Sequence, residues 1–315
     1  SSFAFLGGFL SIANLKSGIF ANMPDSEKLQ YACGGIFVAG LLYLILALII
    51  KLIGVKRVMR FLPPVVTGPI IICIGLSLAP SAVKNASTNW LIAIVALATI
   101  IIFNIWGKGM MKIIPILLGV VSSYGLALAM NAMGMTNADG SAILDFSAAA
   151  SASFVGMPDF VMCKFDLTAI LVMAPIALAS MMEHVGDMSA ISATVGEDFI
   201  ADPGLHRTLI GDGLATSLSA VFGGPANTTY GENVAVVGVT KIASVKVILL
   251  ACVIAICLGF ITPLMTLTMT IPACVTGGVS LLLYGFIASS GVKMMINEKI
   301  DFSKSKNIFI ASVIL

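Results

Sequence analysis

The 315-residue sequence predicts an all-α polytopic membrane protein, and three observations carry that expectation. Hydrophobic residues make up 59% of the chain and charged residues only 10%, with a mean hydropathy of +1.08, where soluble domains carry about a quarter charged residues. Long charge-free windows fill most of the chain, and Lys and Arg collect in alternate loops. The 17 basic and 15 acidic residues leave a net charge of +2. No basic surface therefore points to nucleic acid, and the low polarity excludes long disordered tails. Six cysteines, Cys33, Cys73, Cys163, Cys252, Cys257 and Cys274, form no CxxC pair. Neither a zinc site nor a disulfide framework is indicated, and most of the six are expected to be buried small hydrophobes.

A helix needs about 20 apolar residues to cross roughly 30 Å of hydrocarbon. Ser1–Leu15 reads as part of one span, and Tyr31–Ile50, Phe61–Val83, Asn85–Gly107 and Ile113–Ala138 are each uncharged and long enough to cross. A helix is expected over 167–190, another over 207–223 and a shorter element over 227–241. Val247–Val292 has no charged residue, and Pro263 and Pro272 divide it into two spans. A last span begins at Asn307. The opening at Ser1-Ser2-Phe3-Ala4-Phe5 and the stop inside an apolar run at Ile314-Leu315 suggest an internal piece of a longer protein.

That reading gives about eleven membrane segments, which the positive-inside rule can test. With Lys51, Lys56, Arg57 and Arg60 cytoplasmic, alternation places Lys108, Lys112, Arg207, Lys241, Lys246, Lys293, Lys299, Lys304 and Lys306 on the same side. Lys16, Lys28, Lys84 and Lys164 remain outside, together with the loop 139–166 and its Asp139, Asp145, Asp159 and Asp166. A wrong segment count in the middle would scramble this asymmetry.

The stretch 167–245 is apolar but interrupted by Glu183, Asp187, Asp212 and Glu232, and ionisable residues inside a membrane mark function by default. Glu183 and Asp187 stand at i and i+4, so they share one helix face with Cβ atoms about 5–6 Å apart. Two carboxylates that close in low dielectric resist ionising together, and one can carry a proton near neutral pH. The other reading of Asp187 is a solvated acid at the cytoplasmic helix end. His184 points about 100° away around the helix and reads as a packed, hydrogen-bonded histidine. No His or Cys near it has metal-ligand spacing.

A second constellation is Phe222-Gly223-Gly224-Pro225-Ala226-Asn227-Thr228-Thr229-Tyr230-Gly231-Glu232-Asn233. Its glycines and proline end the preceding helix, and Asn-Thr-Thr-Tyr is polar and β-favouring, so a continuous spanning helix is not expected. Irregular backbone at membrane depth is tolerated only where protein or a cavity satisfies its polar groups. Free amides beside the Glu232 carboxylate suit a small planar solute with both carbonyl oxygens and ring N–H groups. The plainer reading is a re-entrant turn with Glu232 at a helix N-terminus.

Glu183-His184-Val185-Gly186-Asp187, Pro203-Gly204-Leu205-His206-Arg207, Gly211-Asp212-Gly213, the run from Gly223 to Asn233, and Gly277-Gly278-Val279-Ser280-Leu281-Leu282-Leu283-Tyr284-Gly285 together resemble the uracil permeases of the nucleobase-ascorbate transporter family of proton symporters. The resemblance runs over the whole chain and is densest from about 180 to 315. It implies fourteen segments in two inverted repeats of seven, of which this chain holds about eleven, and a substrate held at the midplane by discontinuous segments. It implies a core domain over 1–55 and 167–270, a gate domain over 61–138 and 271–315, and an external loop over 139–166. Two short strands are implied, Ser1–Phe5 and Thr228–Glu232, with the nucleobase between them.

On the same resemblance, Glu183 is the carboxylate that binds the base and takes part in proton coupling. Glu232 accepts from ring N–H groups, the amides of Phe3 and Gly231 meet the carbonyl oxygens, and Tyr230 and Tyr284 are pocket-wall aromatics. Asp187 and Asp212 are candidates for proton coupling, although the family varies at both positions. The usual signature has Gly where this chain has Ala235, a change that bears on pocket width. Glu at 232 favours uracil, purine carriers often having Gln.

The expected activity is proton-coupled uptake of uracil across a bacterial cytoplasmic membrane by alternating access. The partners are then uracil or a related nucleobase, protons and the lipid bilayer, with no cofactor beyond the proton gradient and with a homodimer left open. The alternatives weighed are a purine permease of the same family, an intramembrane hydrolase and a passive channel. A two-carboxylate hydrolase needs acids facing each other across a bond rather than along one helix, and a channel seldom needs an acid beside a broken segment.

Overall fold

The structure is a computed structural model that describes residues 2–55, 57–58, 63–137, 139–147, 153–158 and 160–315, without the side chains of Phe3, Glu232, Ala235 and Val239. Ser1, Lys56, Arg60 and Asp159, each named above, lie outside the described residues. The described part is helical. Its two β-bridges, Thr136 with Ala142 and Val155 with Ile261, are isolated.

The helices are α1 (Leu6–Ala13), α2 (Asp25–Ile53), α3 (Pro64–Ala86), α4 (Trp90–Trp106), α5 (Met110–Ile113), α6 (Pro115–Ala132), α7 (Leu167–Val195), α8 (Leu205–Val221), α9 (Gly231–Thr240), α10 (Val245–Leu258), α11 (Thr262–Met269), α12 (Ala273–Asn297) and α13 (Ser305–Ile314). Five of them, α2, α3, α6, α7 and α12, are long and apolar enough to cross a membrane, and α4, α10 and α13 are shorter apolar helices. Each follows an expected span within a few residues. Where two spans were expected over 247–292, three helices occur: Pro263 sits in the first turn of α11, and Pro272 immediately precedes α12. Both prolines stand at a helix start, where the missing N–H would have no intrahelical partner in any case.

The ends of the long helices follow from local chemistry. Asp25 and Glu27 occupy the first turn of α2 and Lys51 its last, complementing the helix dipole. The carboxylate of Asp166 accepts from the amides of Thr168 (2.8 Å) and Ala169 (3.3 Å) and so caps α7. At 29 residues each, α2 and α7 are about 44 Å long, longer than the hydrocarbon core.

The chain divides into two compact units, one comprising 1–77, 160–234 and 287–315, the other 78–159 and 235–286. In the first unit α2 packs along α7 and α8. The α2 face that does so repeats Ala32, Ile36, Ala39, Tyr43 and Ala47, all fully buried, which is one stripe at helical spacing. Their partners include Met173, Ala177 and Met181 of α7 and Leu209 of α8. Small residues set the distance between α2 and α8. A Cβ on Gly213 would stand 2.6 Å from Cβ of Tyr43 and 2.8 Å from the Gly40 carbonyl oxygen, and Ser217 Oγ donates to the Phe37 carbonyl at 3.1 Å.

In the second unit α4 lies against α6. Ile92, Ala127, Met130, Ile143, Leu144, Cys274 and Val275 form one buried cluster, and Ala96, Ile100 and Val279 another. The hydroxyls of Tyr124 and Thr270 are 2.6 Å apart. The cysteines depart from expectation: Cys33 and Cys274 are buried, whereas Cys73 and Cys163 are half-buried and Cys252 and Cys257 are exposed on α10, every residue of which is exposed within this chain.

Candidate functional site

The helix break expected after residue 222 is present. Gly223, at φ +82°, closes α8 in a left-handed conformation that glycine adopts without strain, and the Gly224 amide donates to the Ser219 carbonyl at 2.8 Å. Residues 224–230 then run without regular structure until α9 begins at Gly231. The two expected strands are therefore not strands. Phe3–Phe5 forms a 3-10 turn, and the Ser2 amide donates to the Ala226 carbonyl at 2.7 Å. No ladder extends from that bond among the described residues, and without neighbouring pairs a strand has nothing to propagate it.

Side chains of the flanking helices satisfy the irregular segment, as buried backbone requires. Ser219 Oγ donates to the Pro225 carbonyl at 2.9 Å. Thr216 Oγ1 accepts from the Asn227 amide (3.2 Å) and donates to the Asn227 carbonyl (3.4 Å). The Thr228 hydroxyl lies 3.2 Å from that of Ser180, which is itself 3.5 Å from Ser2 Oγ. Thr229 Oγ1 lies 2.7 Å from Nδ1 of His184.

His184 is packed and hydrogen-bonded, as its place on α7 predicts: it is 3% exposed, and its Nε2 meets Thr208 Oγ1 at 2.9 Å. Asp212 Oδ2 stands 3.5 Å from Nδ1 of the same ring. Two stripes at i, i+4 spacing make this possible, Ser180 and His184 on α7 and Thr208, Asp212 and Thr216 on α8. The second is a run of polar positions four apart on a helix that also carries His206, Arg207, Ser217 and Ser219, so the sequence alone does not single it out. Tyr43 was not visible. It is fully buried on α2, within electrostatic reach of Asp212, Ser180 and Glu183, but a tyrosine in an apolar span reads as core.

Glu183 and Asp187 are both half-buried on α7, and both have interaction partners. Asp187 faces the start of α9: its Oδ1 lies 3.2 Å from where a Cβ on Gly231 would stand. Tyr230 is half-buried just before that helix and is likewise partnered. The backbone of Glu232 is in the first turn of α9, where a carboxylate is favoured; its side chain lies outside the described residues. Tyr284 is 5% exposed on α12, in the second unit. Among the described residues no group of three His, Cys, Asp or Glu is placed to hold a metal ion.

Five membrane-length helices, with a polar network at the interrupted segment and acids on α7 and α8, describe a multi-pass membrane protein, and a family and relatives named as permeases make it a transporter rather than an enzyme. The sequence matches the Permease family over residues 1–315, and the chain belongs to that family. It is 41% identical to the uracil permease of Bacillus caldolyticus over 99% of this chain and 72% of that protein. The uracil permease of Paenibacillus larvae is 36% identical over 100% and 73%, and that of Escherichia coli K12 is 36% identical over 91% and 67%. The chain thus spans about seven-tenths of the length of these relatives. Among solved structures, the transmembrane domain of the cyanobacterial bicarbonate transporter BicA superposes with a TM-score of 0.60 at 16% identity, covering 99% of this chain and 78% of that one; this likeness is one of fold. The protein is a multi-pass protein of a bacterial membrane.

Proposed function

We propose that this chain carries uracil across the membrane together with a proton, by alternating access. The observation that supports the reading most is the meeting of α7 with the start of α9, where Asp187 lies against Gly231, one helical turn beyond Glu183. Helix N-terminal amides have no intrahelical partner, so this end offers N–H donors to the two carbonyl oxygens of a pyrimidine. Glu232 accepts from its ring N–H groups, the Phe3 amide completes the donor set, and Tyr230 flanks the ring. A solute with fixed donors and acceptors is discriminated strongly by such a site, because a mismatched base leaves buried polar groups unpaired.

Proton coupling falls to Glu183, with Asp187 and Asp212 as further carriers. A protonated Glu183 loads with the base from outside, and both leave on the cytoplasmic side. The uracil permeases to which the chain is similar supply the choice of base. The test is saturable uptake of labelled uracil in cells expressing the intact protein, competed by unlabelled uracil, xanthine and hypoxanthine. Competition by uracil alone is expected. Stronger competition by a purine would make this a purine carrier, and no saturable uptake of any base would remove the proposal.

A further inference from the structure

We propose that His184 is a positioning residue: in its Nε2–H tautomer it holds Thr229, and through Thr229 the irregular segment 224–230, at the geometry from which α9 presents its first amides. That tautomer satisfies every bond on the ring at once. In it Thr208 Oγ1 donates its proton to the Leu205 carbonyl at 3.0 Å and accepts from His184 Nε2, 2.9 Å away. Nδ1 is then the acceptor that takes the Thr229 hydroxyl proton at 2.7 Å. Asp212 Oδ2, at 3.5 Å from Nδ1, is beyond ordinary hydrogen-bond length and has no hydrogen-bond partner among the described residues.

An imidazole makes two in-plane bonds, and this ring commits one to α8 and the other to the segment. Thr229 is two residues before Gly231, so freeing it displaces the start of α9 itself. The bonds from Ser180, Thr216 and Ser219 hold residues 225–228 of the segment. His184 holds Thr229, one residue further toward the helix.

The inference rests on the reading of α9 as the substrate-presenting element, and its test separates the two. In the intact protein, amide hydrogen exchange over 224–233 and the KM and kcat for uracil are measured for H184N, H184Q and T229V. Asparagine places its amide near the Nδ1 position and keeps an acceptor for Thr229, whereas glutamine reaches the Nε2 position and serves Thr208 alone. H184N is expected to keep slow exchange and a near-native KM. H184Q and T229V are expected to speed exchange over 224–233 at least about fivefold and raise KM by a similar factor, with kcat little changed and exchange in α4 and α6 unaffected. Equal behaviour of H184N and H184Q, or unchanged exchange in H184Q, would overturn the inference. If the wild type fails to take up uracil but the exchange pattern separates the two variants, the positioning role stands and the substrate assignment falls.

Discussion

Asp187 and Gly231 are matched across the site: Oδ1 of the acid lies 3.2 Å from the place a Cβ on the glycine would occupy. A methyl there is tighter than ordinary van der Waals contact, so either the carboxylate or the first turn of α9 must give. Gly231→Ala is therefore expected to weaken uracil uptake through KM, by roughly fivefold for about 1 kcal/mol of displacement. The effect should shrink when Asp187 is also replaced by Ala, because the crowding partner is gone. An equal penalty in both backgrounds would show that the glycine answers to something other than Asp187.

The α2–α8 contact is the second point of low tolerance. A Cβ on Gly213 meets Tyr43 and the Gly40 carbonyl oxygen below 3 Å, and overpacking of a close helix crossing costs about 1–3 kcal/mol. Gly213→Ala should lower the melting midpoint of the purified protein by several degrees. It should also reduce transport, because Tyr43 is displaced from its place near Asp212 and Glu183. An unchanged midpoint would mean that the helices can separate without loss.

Two lysines expected on the outside should behave differently. Lys28 is 6% exposed, donates to the Ala13 carbonyl at the end of α1 (2.9 Å) and lies 3.5 Å from Asp25. Lys28→Met leaves that carbonyl unpaired, at a cost of about 1–3 kcal/mol, and should lower the thermal midpoint. Lys164 pairs with Glu27 at 2.5 Å in an exposed loop, and Lys164→Met should change the midpoint little. Its hydrogen bond to the Glu27 carboxylate raises the Lys164 ammonium above its ordinary range. Whatever the pair contributes is thus fully present below the ordinary lysine range and fades as pH rises through the raised value. A larger effect at Lys164 than at Lys28 would reverse this assignment.

How much of this was legible in the sequence varies with the physics involved. The spans were legible because charge-free length and proline position are local, and even the unexpected α11 is traceable to Pro263 and Pro272. The break after α8 was legible from Gly223-Gly224-Pro225. Its conformation was not, since the irregular 224–230 depends on bonds from Ser180, Thr216 and His184, on helices elsewhere in the chain, and on the Ser2 amide from the start of the chain. His184 was readable as a bonded core residue, but its partners required knowing that the Thr208, Asp212 and Thr216 stripe of α8 turns toward α7. Tyr43 carried no signal, because nothing in an apolar span tells a tyrosine near buried acids from one that packs.

The central claim, a carrier driven by protons through Glu183, is tested most directly by uracil accumulation in proteoliposomes of the intact protein, with and without an inward proton gradient, for the wild type and Glu183→Gln. The wild type should accumulate uracil above equilibrium only with the gradient. The glutamine variant should lose that accumulation while still exchanging internal for external uracil. Equal accumulation by the wild type with and without the gradient, or undiminished gradient-driven accumulation by the variant, would contradict the account.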